Sequence, residues 1–274
     1  MHLVSLEFLP VELLYEIQLF ALSEALPLTS RRFYNVFKSA PTSIHATYIL
    51  LRHLVLPPPL ASSPLSTAKR PNVLTHALRY PICTQPVLNL LLASPLLPPD
   101  PRPHPAPELP RRLFRHLAPR APGGGEWKAR HAPLPFLQQL YADPRVAPPD
   151  PDAHDGYALT RAVHAGSRPL VRFLLARGAS PRRKNGIAVL VAIRRRELGM
   201  VKLLVEPEAG VGGGDGGERV GKGKRRRVMD RVEVTPEMLR TAVKCGARDI
   251  AEWLMREKGC VPDMKTLGLM MQAQ

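Results

Sequence analysis

The feature that most constrains this chain is a 30-residue period in its C-terminal half. Two copies are related by this period. A third copy, residues 241–255, aligns without gaps to residues 161–175 of the first copy at an offset of 80. Self-similarity at a fixed period indicates stacked supersecondary units, each burying its apolar face against the next. The period joins residues of similar size and polarity: Gly156 and Gly186, Leu159 and Val189, Ala162 and Ala192, Val171 and Val201, and Leu174 and Leu204.

Each copy predicts two short helices joined by a turn. The first helix carries Leu-x-x-Ala, whose small alanine lets a neighbouring helix approach closely, and the second is an apolar run such as 170–175. Gly166 and Gly246 fall in the turn, where glycine adopts a conformation that is costly for other residues. The apolar residues are mostly Leu, Val and Ala with only 5% aromatic residues, which favours helices over sheets. We therefore predict an all-α fold.

The run Leu170-Val171-Arg172-Phe173-Leu174-Leu175-Ala176-Arg177-Gly178-Ala179 resembles the second helix and turn of ankyrin repeats. In the first helix the family's Thr-Pro-Leu-His is replaced by Tyr157-Ala158-Leu159-Thr160. The clearest repeats are predicted at 154–183, 184–209 and 233–263, with degenerate copies near 72–92, 111–141 and 264–271. The resemblance implies a helical-repeat solenoid over 66–274, with Pro/Gly-rich insertions that include a mobile Gly/Arg loop at 210–230.

Such solenoids bind protein partners through repeat tips and first helices. Basic and aromatic side chains at these positions are the candidate target-binding residues, although each could equally be part of a solvated helix face. They are Tyr157, Arg161, His164, Arg194, Arg195, Arg196, Lys244 and Arg248.

The N-terminal 40 residues predict a helical hairpin. Pro10 suits the first turn of a helix, where its missing N–H costs nothing. Leu13, Leu14 and Ile17 follow at helical spacing, and a second apolar set, residues 26–37, comes after a break at Pro27. A hairpin this short cannot bury its own faces, so we expect it to need a partner surface.

Residues 6–39 resemble the F-box. The pattern Leu9-Pro10-x-Glu12-Leu13-Leu14-x-x-Ile17 is followed by Leu28-Thr29-Ser30-Arg31-Arg32-Phe33-Tyr34, with a shorter stretch between the two than the family usually has. In that family the Leu-Pro turn and its helix dock on a Skp-type adaptor, which tethers the protein to a cullin ubiquitin ligase. The resemblance implies these adaptor-binding residues: Leu9, Pro10, Leu13, Leu14, Ile17, Leu28 and Phe33.

The chain carries a formal net charge of +16, which raises a nucleic-acid hypothesis, because basic surfaces bind phosphate polymers. An acidic protein partner would be served equally well, and the arginines can also simply solvate helix faces and loops, so we do not expect nucleic acid to be the partner. A basic run near the Gly-rich loop resembles a nuclear-import patch; it comprises Lys222, Lys224, Arg225, Arg226 and Arg227.

Enzyme chemistry is not predicted. The cysteines Cys83, Cys245 and Cys260 are far apart and form no CxxC pair, which argues against a zinc site and a disulfide framework and fits a reducing compartment. No histidine spacing suggests a metal. We expect no catalytic residue, no cofactor and no metal, and neither a signal peptide nor a membrane span.

The two resemblances together are typical of F-box/ankyrin proteins of the fungal type. They predict a substrate receptor of an SCF-type ubiquitin ligase in the cytoplasm or nucleus, monomeric outside the complex. The segments would be an F-box at 1–40, a linker at 41–65 and a repeat region at 66–274. The alternatives are an ankyrin scaffold outside any ligase and a basic nucleic-acid-associated protein.

Overall fold

The computed structural model of the chain describes residues 6–55, 73–95, 106–119, 125–207 and 231–272. These residues form helices and no β-sheet, so the all-α prediction is confirmed. None of the helices in these ranges is long and apolar enough to cross a membrane. The predicted nuclear-import patch and the predicted Gly/Arg loop at 210–230 lie outside the described ranges.

The chain divides into two compact units. Unit 1 comprises Met1–Arg112 and Gln139–Pro149, and unit 2 comprises Leu113–Gln138 and Asp150–Gln274. The chain passes from one unit to the other at three points. Two of them fall within short helices, α6 (Arg112–Arg115) and α7 (Leu134–Ala142), and the third lies between Pro149 and Asp150.

Unit 1 begins with the hairpin that the sequence predicts. Its elements are a 3-10 turn (Leu6–Phe8), α1 (Val11–Ala21), a second 3-10 turn (Leu26–Leu28), α2 (Arg31–Lys38), α3 (Thr42–Val55), α4 (Val73–Leu78) and α5 (Gln85–Leu92). Helix α1 packs against α2 and α3, and α3 packs against both α4 and α5.

Local chemistry explains where the hairpin helices begin. Pro10 directly precedes α1, and Ser30 caps α2 by accepting a hydrogen bond from the backbone N–H of Phe33 at 3.3 Å. A side-chain cap of this kind satisfies one of the free N–H groups at a helix start. Between the helices lies a small core of Leu14, Phe33 and Phe37.

The predicted linker at 41–65 is wrong for residues 42–55, which form α3. Ala46, Tyr48 and Ile49 of this helix are buried. Our interpretation weighted the flanking prolines, which end helices, over an apolar pattern that fits helical spacing. Helix α3 is therefore the element that joins the hairpin to the helix pair α4–α5.

Unit 2 contains three helix pairs at the positions of the three clearest repeats. In each pair the first helix packs on its partner and on the first helix of the next pair, and α12 also packs on α14. The helices are α8 (Ala153–His164), α9 (Arg168–Ala176), α10 (Arg183–Arg194), α11 (Leu198–Val205), α12 (Pro236–Lys244), α13 (Arg248–Arg256) and α14 (Met264–Gln272).

The repeat period places equivalent residues in equivalent environments. Ala162, Ala192 and Ala242 are each fully buried at offsets of 30 and 80, as small residues at a close helix contact should be. The second-helix leucines behave in the same way, and Leu174, Leu204 and Leu254 are also fully buried.

Helices α8 and α10 share an unusual start. His154, Asp155 and Gly156 are all left-handed, with φ of 56°, 59° and 73°, and residues 184–186 repeat this 30 positions later. The left-handed region is costly for residues with a side chain, so neighbouring contacts must hold it. Asp152 provides such contacts, because its carboxylate accepts hydrogen bonds from the Ser180 N–H at 2.8 Å and from Arg183 Nε at 3.0 Å.

Candidate protein-binding surfaces

Helix α1 has two apolar faces, and only one of them is covered. Leu14 is 2% exposed and contributes to the hairpin core. On the other face, Pro10, Leu13, Ile17 and Phe20 recur at intervals of three and four residues, which is the spacing of one helical stripe. Ile17 lies at the border of this stripe, because it also packs against the hairpin core. Leu13 is 43% exposed and Phe20 is 88% exposed. We call these four residues the outer stripe.

The structure divides the predicted adaptor-binding residues into two groups. Pro10, Leu13 and Leu28 are exposed, and Leu9 and Ile17 are half-buried. Leu14 and Phe33 are buried against each other inside the hairpin, so their role in this conformation is to hold its two helices together.

The structure adds two aromatic side chains that sequence analysis did not single out. Phe8 is 78% exposed, next to the Leu-Pro turn, and Phe20 extends the outer stripe by one turn. Their spacing from Pro10 and Ile17 was visible in the sequence. What the sequence could not give was which face of α1 would be covered by α2 and α3.

The Leu-Pro turn is tied to α2 by one long-range contact. The Arg32 guanidinium donates a hydrogen bond to the Leu9 carbonyl oxygen at 3.1 Å. This contact fixes the entry of α1 relative to α2, since the two residues are 23 positions apart.

A polar cluster anchors the end of α1 to the rest of unit 1. Arg52 of α3 bonds the Glu24 carboxylate at 2.8 Å and the Tyr80 hydroxyl at 2.7 Å, and it also donates to the Leu22 carbonyl oxygen. The Tyr80 hydroxyl donates to the same carboxylate at 2.8 Å, and Tyr48 donates to the Ser23 carbonyl at 3.1 Å. We call Glu24, Tyr48, Arg52 and Tyr80 the Arg52 cluster.

Burial keeps the phenols of this cluster neutral. It raises the pKa of Tyr80 to about 12, with the hydrogen bond to Glu24 adding to the rise, and burial also raises the pKa of Tyr48. Beside the cluster, burial and the positive charge of His53 lower the pKa of His76 to about 4. At neutral pH the cluster therefore carries one cation, Arg52, and one anion, Glu24.

In unit 2, two of the predicted target-binding arginines serve the fold instead. Arg161 donates to the Arg115 carbonyl oxygen at 2.9 Å and to that of Leu117. Arg195 donates to the His164 carbonyl oxygen at 2.8 Å and pairs with Glu197 at 2.6 Å. Both guanidinium groups thus bind carbonyl oxygens at or just beyond a helix end, where a carbonyl group has no hydrogen-bond donor within the helix itself.

The remaining predicted residues, apart from Tyr157, lie at or beside the turns of three helix pairs, and we call them the basic edge. His164, Arg194 and Lys244 occupy one repeat position, at offsets of 30 and 80. Arg194, Arg196, Lys244 and Arg248 are exposed, whereas His164 and Tyr157 are half-buried. Burial, with the charges of Arg161 and Arg195, lowers the pKa of His164. The members of the basic edge are His164, Arg194, Arg196, Lys244 and Arg248.

The stretch of sequence that carries His164, Arg194 and Arg196 of this edge contains no acidic residue. Residues 156–196 hold ten Arg and Lys and neither Asp nor Glu. The acidic side chains that do meet these cations come from outside that range: Asp152 binds Arg183, Asp155 binds Lys184 and Glu197 binds Arg195.

Candidate metal ligands do not cluster in the part of the chain that the structure describes. No group of three or more His, Cys, Asp or Glu side chains there is arranged to hold a metal ion. Cys83 is buried, and burial raises its pKa to about 11, so its thiol stays protonated at neutral pH.

Comparison with family models, with curated proteins and with solved structures found no match to this chain.

Proposed function

We propose that this protein is a substrate receptor of an SCF-type ubiquitin ligase, in which the hairpin binds a Skp-type adaptor and unit 2 binds the target. The observation that carries the proposal is the outer stripe on α1. A helix whose second apolar face is exposed, beside the Leu-Pro turn of an F-box-like motif, is suited to docking in a partner's apolar groove.

The distribution of exposed apolar side chains supports this choice of surface. Half of the large apolar side chains that are exposed in the described ranges fall within residues 6–34: Leu6, Phe8, Leu13, Phe20, Leu28 and Tyr34. Burying one such side chain contributes roughly 1.5–3 kcal/mol, and concentrated apolar exposure is typical of interaction sites.

For the target, we propose an acidic protein segment on the basic edge. Arg161 and Arg195 are left out of this surface because they bind carbonyl groups of the fold. Under this proposal the chain contributes proximity, which raises the effective concentration of the target near the recruited catalytic subunits. We place its activity in the cytoplasm or nucleus and treat it as monomeric outside the complex.

The test is co-purification with a Skp-type adaptor. The variant Leu13→Glu/Phe20→Glu changes two exposed residues of the outer stripe and leaves the hairpin core intact. Because the loss of a hot-spot residue at the centre of an interface costs about 2 kcal/mol or more, and we expect the stripe to supply at least one such residue, adaptor affinity should fall by at least about thirtyfold.

Val261→Glu/Met264→Glu is the matched control, since these side chains are 76% and 84% exposed in unit 2. It should bind the adaptor like the wild type. A wild-type chain that brings down no adaptor overturns the ligase assignment and leaves the ankyrin scaffold as the better hypothesis.

The nucleic-acid alternative predicts a different salt response. A protein that neutralises several phosphates loses affinity for nucleic acid steeply as the salt concentration rises. Under this alternative, removing the positive charges of the basic edge would abolish nucleic-acid binding. If the chain binds duplex or single-stranded DNA or RNA with such a slope, and Arg194→Glu/Lys244→Glu abolishes that binding, the acidic-protein proposal for this edge fails.

A further inference from the structure

Unit 1 contains a large groove that is separate from both the outer stripe and the basic edge. Its volume is about 1150 Å³, and its walls come from the hairpin, from α3 and from the turn between α4 and α5. Pockets for small molecules occupy roughly 300–1,000 Å³. The groove therefore has room for a segment of polypeptide. Its apolar walls include Pro27, Leu28, Phe37, Ile44, Pro81 and Ile82.

One polar side of the groove is the Arg52 cluster, and it is already paired. Arg52 binds Glu24, Tyr80 and a carbonyl oxygen, and its guanidinium lies 6.0 Å and 5.9 Å from the ring centroids of Tyr48 and Tyr80. The two rings meet edge to face at 6.2 Å between centroids. A side that is held in place in this way is pre-organised, so an occupant would lose little affinity to ordering it.

The ionised groups around the groove leave a positive excess. Glu24 is the one acidic residue that lines it, and Arg52 cancels its charge. Lys38 and Arg79 also line the groove and are exposed. Lys38 lies 5.4 Å from the Tyr34 ring centroid and makes no ion pair among the described residues, while the contact between Arg79 and Glu108 is 3.8 Å long and half-exposed. Pairs of that kind contribute little, so both cations can bind a carboxylate.

We propose that this groove binds a short segment of a partner protein that combines acidic and apolar side chains. Lys38 and Arg79 bind its carboxylates, and the apolar walls take its Leu-like or aromatic side chains. A nucleic acid is a poorer occupant, because two available cations and apolar walls do not suit a polyphosphate. The proposal does not depend on the adaptor contact, since Pro10, Leu13, Ile17 and Phe20 do not line the groove.

The experiment is a selection of random twelve-residue peptides displayed on phage against the immobilised full chain. We expect enrichment of peptides that carry Asp or Glu together with Leu, Ile or Phe. Synthetic copies of these peptides should then bind Lys38→Glu/Arg79→Glu at least tenfold more weakly than the wild type. Both side chains are exposed, so a thermal melt should confirm that the variant is folded.

Arg256→Glu/Lys265→Glu, an equal charge change on exposed residues of unit 2, is the control and should bind the peptides like the wild type. Absence of enrichment, enrichment of neutral or basic peptides, or equal loss in the control would each overturn the proposal.

Adding the Skp-type adaptor identifies the competing occupant, because Leu28 lines the groove and is also a predicted adaptor residue. Retained peptide binding supports the proposal, whereas displacement would assign the groove to the adaptor. Adaptor binding by the Leu13→Glu/Phe20→Glu variant is measured in a separate pull-down. The adaptor proposal and the groove proposal can therefore fail independently of each other.

Discussion

The hairpin in unit 1 and the helix pairs in unit 2 handle apolar residues in opposite ways. In unit 2 the apolar positions of the period recur at Leu174, Leu204 and Leu254, and each is fully buried. In the hairpin, α1 buries Leu14 and leaves Phe20 88% exposed. In unit 2, the apolar faces of the repeats are thus buried against neighbouring helices. The outer apolar face of α1 is left exposed beside the Leu-Pro turn, and we infer that a partner covers it there.

The largest expected effect comes from removing a repeat-core leucine. Leu174→Ala should lower the free energy of unfolding by about 2–5 kcal/mol, since the side chain is fully buried and its loss leaves a cavity. Leu13→Ala is the matched change in the hairpin and should cost less than about 1 kcal/mol, because Leu13 is 43% exposed and substitutions at the surface usually cost little. Urea denaturation measures both, and equal costs would break the comparison.

A smaller effect is expected at the repeat turns. Gly166 and Gly246 have φ of 72° and 66°, so alanine at either position should cost about 1–2 kcal/mol. A Cβ at Gly166 would also lie 2.9 Å from the Arg195 guanidinium, whereas at Gly246 the nearest atom is 3.7 Å away. We therefore expect a larger drop in melting temperature for Gly166→Ala than for Gly246→Ala. The reverse order would show that Arg195 does not hold this turn.

The last expected effect is a pH response of His76 in unit 1. The pKa of His76 is lowered to about 4 by burial and by the charge of His53, against about 6.5 when unfolded. The unfolded state therefore binds more protons between these values, and stability is lost as pH falls from about 6.5 towards 4. Urea midpoints at pH 7 and pH 4.5 should differ less in His76→Gln than in the wild type. The exposed His116→Gln is the control and should keep the wild-type difference.

The periodic part of the fold could be predicted from the sequence, because one helix pair repeats and each copy reinforces the same pattern. Gly166 and Gly246 do adopt left-handed turns, and Ala162 and Ala192 are fully buried. Over helix α3 the flanking prolines favour a linker, and no second copy of the helix reinforces its own apolar pattern. Its apolar spacing at Ile44 and Tyr48 was the signal that could have identified it.

The polar contacts could not be predicted, because they join residues that are far apart in the chain. Glu24 and Tyr80 of the Arg52 cluster are separated by 56 positions, and Arg161 and Leu117 by 44. Composition and period say nothing about such pairs. Because such contacts cannot be predicted, the sequence suggests Arg161 and Arg195 as target-binding residues, although both side chains bind carbonyl groups of their own unit.

The most direct test of the central inference is amide hydrogen exchange of the full chain with and without a Skp-type adaptor. We expect the adaptor to slow exchange in α1 and in the Leu-Pro turn before it, and to leave α10, α12 and α13 of unit 2 unchanged. If a bound adaptor protects those helices of unit 2 and leaves α1 unprotected, the outer stripe is not the docking face and the proposed role of the hairpin is wrong.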